Sequence, residues 1–222
     1  MVIGEKIDMN NNNLIIAVDG FSGTGKSMVA TFVAEKYDMY SLDSGLLYCV
    51  VAHKLAKANI QKVNSNRIVA MLNELEINKD GTIYHDGHKI DADFFTDEFV
   101  LNKVTYYAHK PNIRKGINQF IRNYAKNKSI VVNGRDIGSV VLPEAQIKFL
   151  FWIPGQDIDG ENKCSWLSDN SIKRNRLDYD NIEKPDQLGE DDELIDVLTE
   201  SSFSIKDIVV KKIDNWINHH GK

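Results

Sequence analysis

Apolar positions along the chain alternate between two rhythms. Leu14-Ile-Ile-Ala-Val18 is a continuous apolar run of strand length, of the kind buried on both faces of a parallel sheet. It follows a polar lead-in that ends in Asn10–Asn13. Beyond a glycine-rich stretch, Val29, Phe32 and Val33 fall on one side of a predicted helix. Met39–Leu42 predicts a short second strand, and Gly45–Ala58 a helix with Leu47, Val50, Val51 and Leu55 inward. From Glu74 to Ile90, short alternating pieces broken at Asp80-Gly81 and Asp86-Gly87 predict a small antiparallel excursion. Helices are expected over Asp97–Ala108 and Ile113–Ala125, either side of Pro111. Ile130–Val132, Ile147–Ile153 and Leu194–Leu198 read as strands, and Ile205–Ile217 as an amphipathic closing helix. The stretch 154–192 is polar, acidic and the least regular. Alternating strands and helices predict an α/β fold with a parallel central sheet covered on both faces.

The stretch between the first strand and its helix carries chemistry. Gly20-x-x-x-x-Gly25-Lys26-Ser27 fulfils the phosphate-loop (P-loop) pattern completely. The backbone of Gly20, Phe21, Ser22, Gly23, Thr24 and Gly25 can curl so that N–H groups face phosphate oxygens. The following helix adds its N-terminal partial positive charge. Lys26 would bridge the β- and γ-phosphates and the Ser27 hydroxyl would hold Mg²⁺, so ATP and Mg²⁺ are the expected cofactors. The fold expectation narrows to a P-loop three-layer α/β/α sandwich. GTPases, motors and small-molecule kinases share the loop. No guanine-reading Asn-Lys-x-Asp is present, and the chain's size favours a small-molecule kinase.

Composition narrows the partners. A chain of 222 residues, 42% hydrophobic and 27% charged, suits one globular α/β domain. A net charge of −5 leans away from a nucleic-acid-backbone binder. No apolar run is long enough to span a bilayer, and the acidic N-terminus lacks a signal peptide's apolar stretch, so no membrane partner is expected and the cytoplasm is the expected location. Cys49 and Cys164 have no metal-ligand spacing and read as small hydrophobes in a reducing compartment.

Three further segments join the phosphate loop in a wider resemblance. Leu42-Asp-Ser-Gly-Leu-Leu-Tyr48, Thr105-x-x-Ala-x-x-Pro-x-x-Arg114 and Asn133-Gly-Arg-Asp-Ile-Gly-Ser-Val-Val-Leu-Pro143 are similar to motifs of the bacterial cytidylate kinases. The likeness runs from Leu14 to about Ile153 and then fades. It implies ATP-dependent phosphorylation of CMP or dCMP in a P-loop core of about 14–60, 111–153 and 193–222. A substrate-binding insertion (about 61–110) and a lid (about 154–192) would complete a single domain over 1–222. It also implies that Ser44 touches the acceptor ribose, that Thr105, Arg114 and Asp136 read the cytosine edge, and that Arg135 holds the acceptor phosphate. Cytosine offers an exocyclic amine beside acceptor atoms, which suits a carboxylate with an arginine. An arginine fork suits a phosphate. Read without the resemblance, Ser44 is also a helix cap, Arg114 a solvated helix residue, and Arg135-Asp136 a local ion pair.

The pattern breaks in four places. Cys49 stands where the family has an arginine after the tyrosine, Asn133 where it often has an acid, and Phe95 where an arginine is common. In the lid, Arg174-x-x-x-Asp178-x-x-Asn181 keeps two of three expected positions, with Arg174 implied in catalysis and Asp178 in substrate binding. Residues 154–192 carry eleven acids against five bases. An arginine facing the transition state is worth about 10³–10⁵ in rate, so these losses matter. They leave open a different or modified cytidine-type acceptor, or a nucleotide-binding regulator without turnover.

Overall fold

The structure is a computed structural model that describes residues 13–154, 175, 184–197 and 200–220. Five parallel strands form the central sheet: β1 (Ile15–Gly20), β2 (Tyr40–Asp43), β6 (Ile130–Asn133), β7 (Ile147–Trp152) and β8 (Glu193–Asp196), in the order β2-β6-β1-β7-β8. β1 is therefore central, flanked by β6 and β7, and its C-terminal end opens where the strand order reverses. That crevice is where open parallel sheets bind ligands.

Side chains alternate across the sheet and build two cores. On one face, Leu14, Ile16 and Val18 meet Val131, Phe149 and Phe151. Helix α1 (Lys26–Lys36) covers them through Val29 and Val33. The closing helix α7 (Ser202–His220) does so through Ile205, Val209, Ile213 and Ile217, every fourth residue of one stripe. On the other face, Ala17, Ile130 and Val132 lie beneath α2 (Ser44–Lys57) and α6 (Pro111–Ala125). A sheet covered by helices on both faces is the expected three-layer α/β/α sandwich.

Each helix start has a local cause. Asp43 caps α2 by accepting from the Gly45 N–H at 2.8 Å, so Ser44 is the first helical residue and not the cap. Pro111 occupies the first turn of α6, where a missing N–H costs nothing. Asn64 caps α3 (Ser65–Asn73) through the Arg67 N–H. That helix was not anticipated, since only Ile68 and Leu72 of it are buried.

The antiparallel excursion is present as β3 (Leu75–Ile77), β4 (Ile83–His85) and β5 (His88–Lys89). Asp86 and Gly87, at φ 52° and 74°, make the two-residue turn between the last two strands. Two helices follow, α4 (Ala92–Thr96) and α5 (Glu98–Ala108), the second capped by Asp97. Among the described residues, no helix is long and apolar enough to cross a membrane.

Candidate active site

The phosphate loop leaves β1 through Gly20, whose φ is 135° and whose added Cβ would lie 2.1 Å from the Phe151 carbonyl oxygen. Only glycine fits there. The loop is then tied to itself. The Thr24 hydroxyl donates to the Phe21 carbonyl at 2.9 Å, and Lys26 Nζ donates to the same oxygen at 3.0 Å. The Phe21 side chain is fully buried against Trp152, ring centroids 4.9 Å apart, so its share in a phosphate cradle is backbone alone. Because α1 begins at Lys26, its first N–H groups, which have no acceptor within the helix, lie at the loop.

Ser27 joins two neighbouring strand ends. Its hydroxyl donates to Asp43 Oδ2 at 3.0 Å and accepts from Asn133 Nδ2 at 3.1 Å. Ser27 and Asp43 thus present hydroxyl and carboxylate oxygens side by side, the hard donors that Mg²⁺ takes. Among the described residues, no group of three or more His, Cys, Asp or Glu could hold a metal ion by itself.

Beside this pair opens a cleft of about 280 Å³. Ser22, Gly23, Lys26 and Ser27 of the phosphate loop line it together with Ser44, Arg114, Arg135 and Asp136. Four chain segments far apart in sequence supply it. Gly134 permits the closeness, because a Cβ there would lie 2.6 Å from Ser44 Oγ. Arg135 Nη1 donates to the Gly20 carbonyl at 2.7 Å, reaching the base of the phosphate loop. Asp136 forms an ion pair with Arg114 of α6 through Arg114 Nη2.

A model of the cytidylate kinase family matches residues 16–153. A cytidylate kinase of Thermosipho melanesiensis is 33% identical over 159 residues, covering 71% of each chain. One of Clostridioides difficile is 36% identical over 62% of this chain and 63% of its own. One of Clostridium botulinum is 27% identical over 90% of this chain and 95% of its own. The chain belongs to the cytidylate kinase family.

Within that family frame, most of the expected acceptor residues come together. Ser44, Arg114, Arg135 and Asp136 line one cleft, and so do Cys49 and Phe95, two of the positions that break the family pattern. Cys49 is 6% exposed and Asn133, the third, is buried beneath Ser27. Thr105 lies on α5, half-buried; its helix neighbours Val104 and Ala108 line the cleft and it does not. Arg174 and Asp178 lie outside the described residues, as does Cys164.

Two buried polar residues support the walls of this cleft. Asn175, 1% exposed, accepts from the Ser22 N–H at 2.6 Å and donates to the Ser22 carbonyl at 3.2 Å. A lone asparagine in a polar stretch gives no sign of such a role. Asp19, also 1% exposed, accepts from the Ile137 and Gly138 N–H groups. Its place at the end of an apolar strand, just before the phosphate loop, was the available signal.

Proposed function

We propose that the protein transfers the γ-phosphoryl group of ATP to CMP or dCMP, giving ADP and the cytidine diphosphate. The observation that carries this reading is the single cleft in which a complete phosphate loop faces Ser44, Arg114, Arg135 and Asp136, in a chain of this family.

Lys26 leaves the Phe21 carbonyl to meet the β- and γ-phosphates, while the backbone of 20–25 and the start of α1 supply N–H donors. The Ser27 hydroxyl, with Asp43 beside it, would hold Mg²⁺, which neutralises charge on the transferring phosphates. Arg135 turns from Gly20 to the acceptor phosphate, for which its fork geometry is suited. Asp136, oriented by Arg114, accepts the cytosine amine, while the guanidinium beside it faces the ring acceptors. Ser44 meets the ribose. Thr105 is assigned to the base from α5, where its neighbours Val104 and Ala108 line the cleft. An acceptor phosphate oxygen is already anionic and attacks the γ-phosphorus directly, so positioning and charge stabilisation carry the rate.

Residues 61–110 serve in this reading as the substrate-binding insertion and 154–192 as the lid, with Arg174 assigned to catalysis and Asp178 to substrate binding. Steady-state rates with Mg·ATP and CMP, dCMP, UMP, AMP, GMP or cytidine test the proposal. Selective turnover of CMP or dCMP supports it. Equal rates on all monophosphates would contradict the cytosine-reading role of Asp136.

A further inference from the structure

The donor and acceptor halves of the cleft meet at a buried carboxylate that the mechanism above leaves unused. Asp19 is the penultimate residue of β1 and is 1% exposed. Its Oδ1 accepts from the Ile137 N–H and its Oδ2 from the Gly138 N–H, each at 2.7 Å. A charge this deeply buried is tolerated only when hydrogen-bonded, and here both oxygens are engaged by successive backbone donors.

The residues so clamped follow Arg135 and Asp136 directly. Asp19 in turn precedes Gly20, whose carbonyl accepts from Arg135. The contacts close a ring: Asp19 to Gly20 along the chain, across to Arg135, along to Ile137, and back to Asp19. The turn 137–141 is also seated tightly on the sheet. A Cβ at Gly138 would lie 2.8 Å from Lys148 Cδ and 3.4 Å from Ala17 Cβ. The phosphate loop has separate supports, in the Thr24–Phe21 bond and the start of α1.

We propose that Asp19 is a positioning residue for the acceptor: its carboxylate fixes the turn that presents Arg135 and Asp136 and sets their reach from the phosphate loop. This rests on the reading of the cleft as the CMP site. Loss of the clamp then falls on the acceptor half, while the donor half keeps its own supports.

Asp19→Asn in the full chain preserves size but turns one acceptor oxygen into an N–H₂ donor facing a backbone N–H. The expected result is a fall of about 10- to 100-fold in kcat/KM for CMP, the range of charge-assisted hydrogen bonds. The Kd for a non-hydrolysable ATP analogue stays within about threefold of the unmodified value. Asp19→Glu keeps the charge but carries it one methylene further, so it displaces the same turn without setting an N–H₂ against a backbone N–H; it gives the same split and decides the matter if Asp19→Asn does not fold. Unchanged kcat/KM for CMP in the folded variants overturns the inference. So does an equal loss of ATP-analogue and CMP affinity, which marks a merely structural carboxylate. If the unmodified chain does not turn over CMP, the proposed function falls and this inference with it; turnover that the variants leave unaltered removes only the role of Asp19.

Discussion

Arg114 and Asp136 stand 22 residues apart in the chain and form an ion pair at the wall of the cleft beside the phosphate loop. Their side chains are 23% and 13% exposed, so the pair is largely shielded from solvent. A shielded pair is retained at a desolvation cost and is weak evidence of stabilisation. Its value here lies in direction: Arg114 Nη2 holds the Asp136 carboxylate at the cleft wall.

Asp136→Asn therefore raises KM for CMP by about 10- to 100-fold, the loss of one charge-assisted hydrogen bond and of Arg114's partner. The KM for ATP changes little, because ATP is read as held by the phosphate loop and the start of α1. Initial-rate kinetics with each substrate varied in turn check this; a matched rise in both constants would place Asp136 in general stability instead.

Cys49 lines the cleft on α2 beside Ser44, where an apolar thiol faces a site read as holding a phosphate. Cys49→Arg puts a guanidinium into that space and lowers KM for CMP through a new charge-assisted contact. Saturation curves for CMP check it. Unchanged or poorer kinetics would show that the cleft is shaped for another acceptor, and a panel of modified cytidine nucleotides would then be the next substrates.

His53 gives a pH signature near the same cleft. It packs edge-on against Phe94, centroids 4.8 Å apart, next to the cleft-lining Phe95. Burial, then Lys57, lowers its pKa from the ordinary 6.5, with Asp97 opposing. A depressed folded-state value means that the neutral ring is favoured. Its contribution to stability is present above about pH 6.5 and is lost as pH falls through the folded-state value. NMR titration should find the His53 midpoint below 6.5, and His53→Phe should flatten the fall in Tm over that acidic range. A midpoint at or above 6.5 would contradict the assignment.

The sheet and its coverings were legible because their cause is local. Leu14–Val18 is apolar at every position since both faces of β1 are buried, and the phosphate loop needs its glycines in fixed places. That Ser44, Arg114, Arg135 and Asp136 share one cleft was legible only through family motifs taken as a set, because nothing near Arg114 in sequence points to Asp136. Three features were not legible. Helix α3 hides its start in Asn64 and buries just two apolar residues. The π-helical turn Ile137–Val141 depends on a carboxylate 118 residues before it, which no local pattern encodes. Asn175 acts through its amide on a backbone 153 residues away. In each case the decisive partner is supplied by the fold and not by the neighbouring chain.

The most direct test of the central claim is single-turnover transfer of label from Mg·[γ-³²P]ATP to CMP, with Lys26→Ala alongside. The account predicts labelled CDP from the unmodified protein and a loss of about 10³-fold or more in the folded variant, since Lys26 meets the transferring charge. ATP bound without label reaching CMP, or equal transfer by Lys26→Ala, would contradict it.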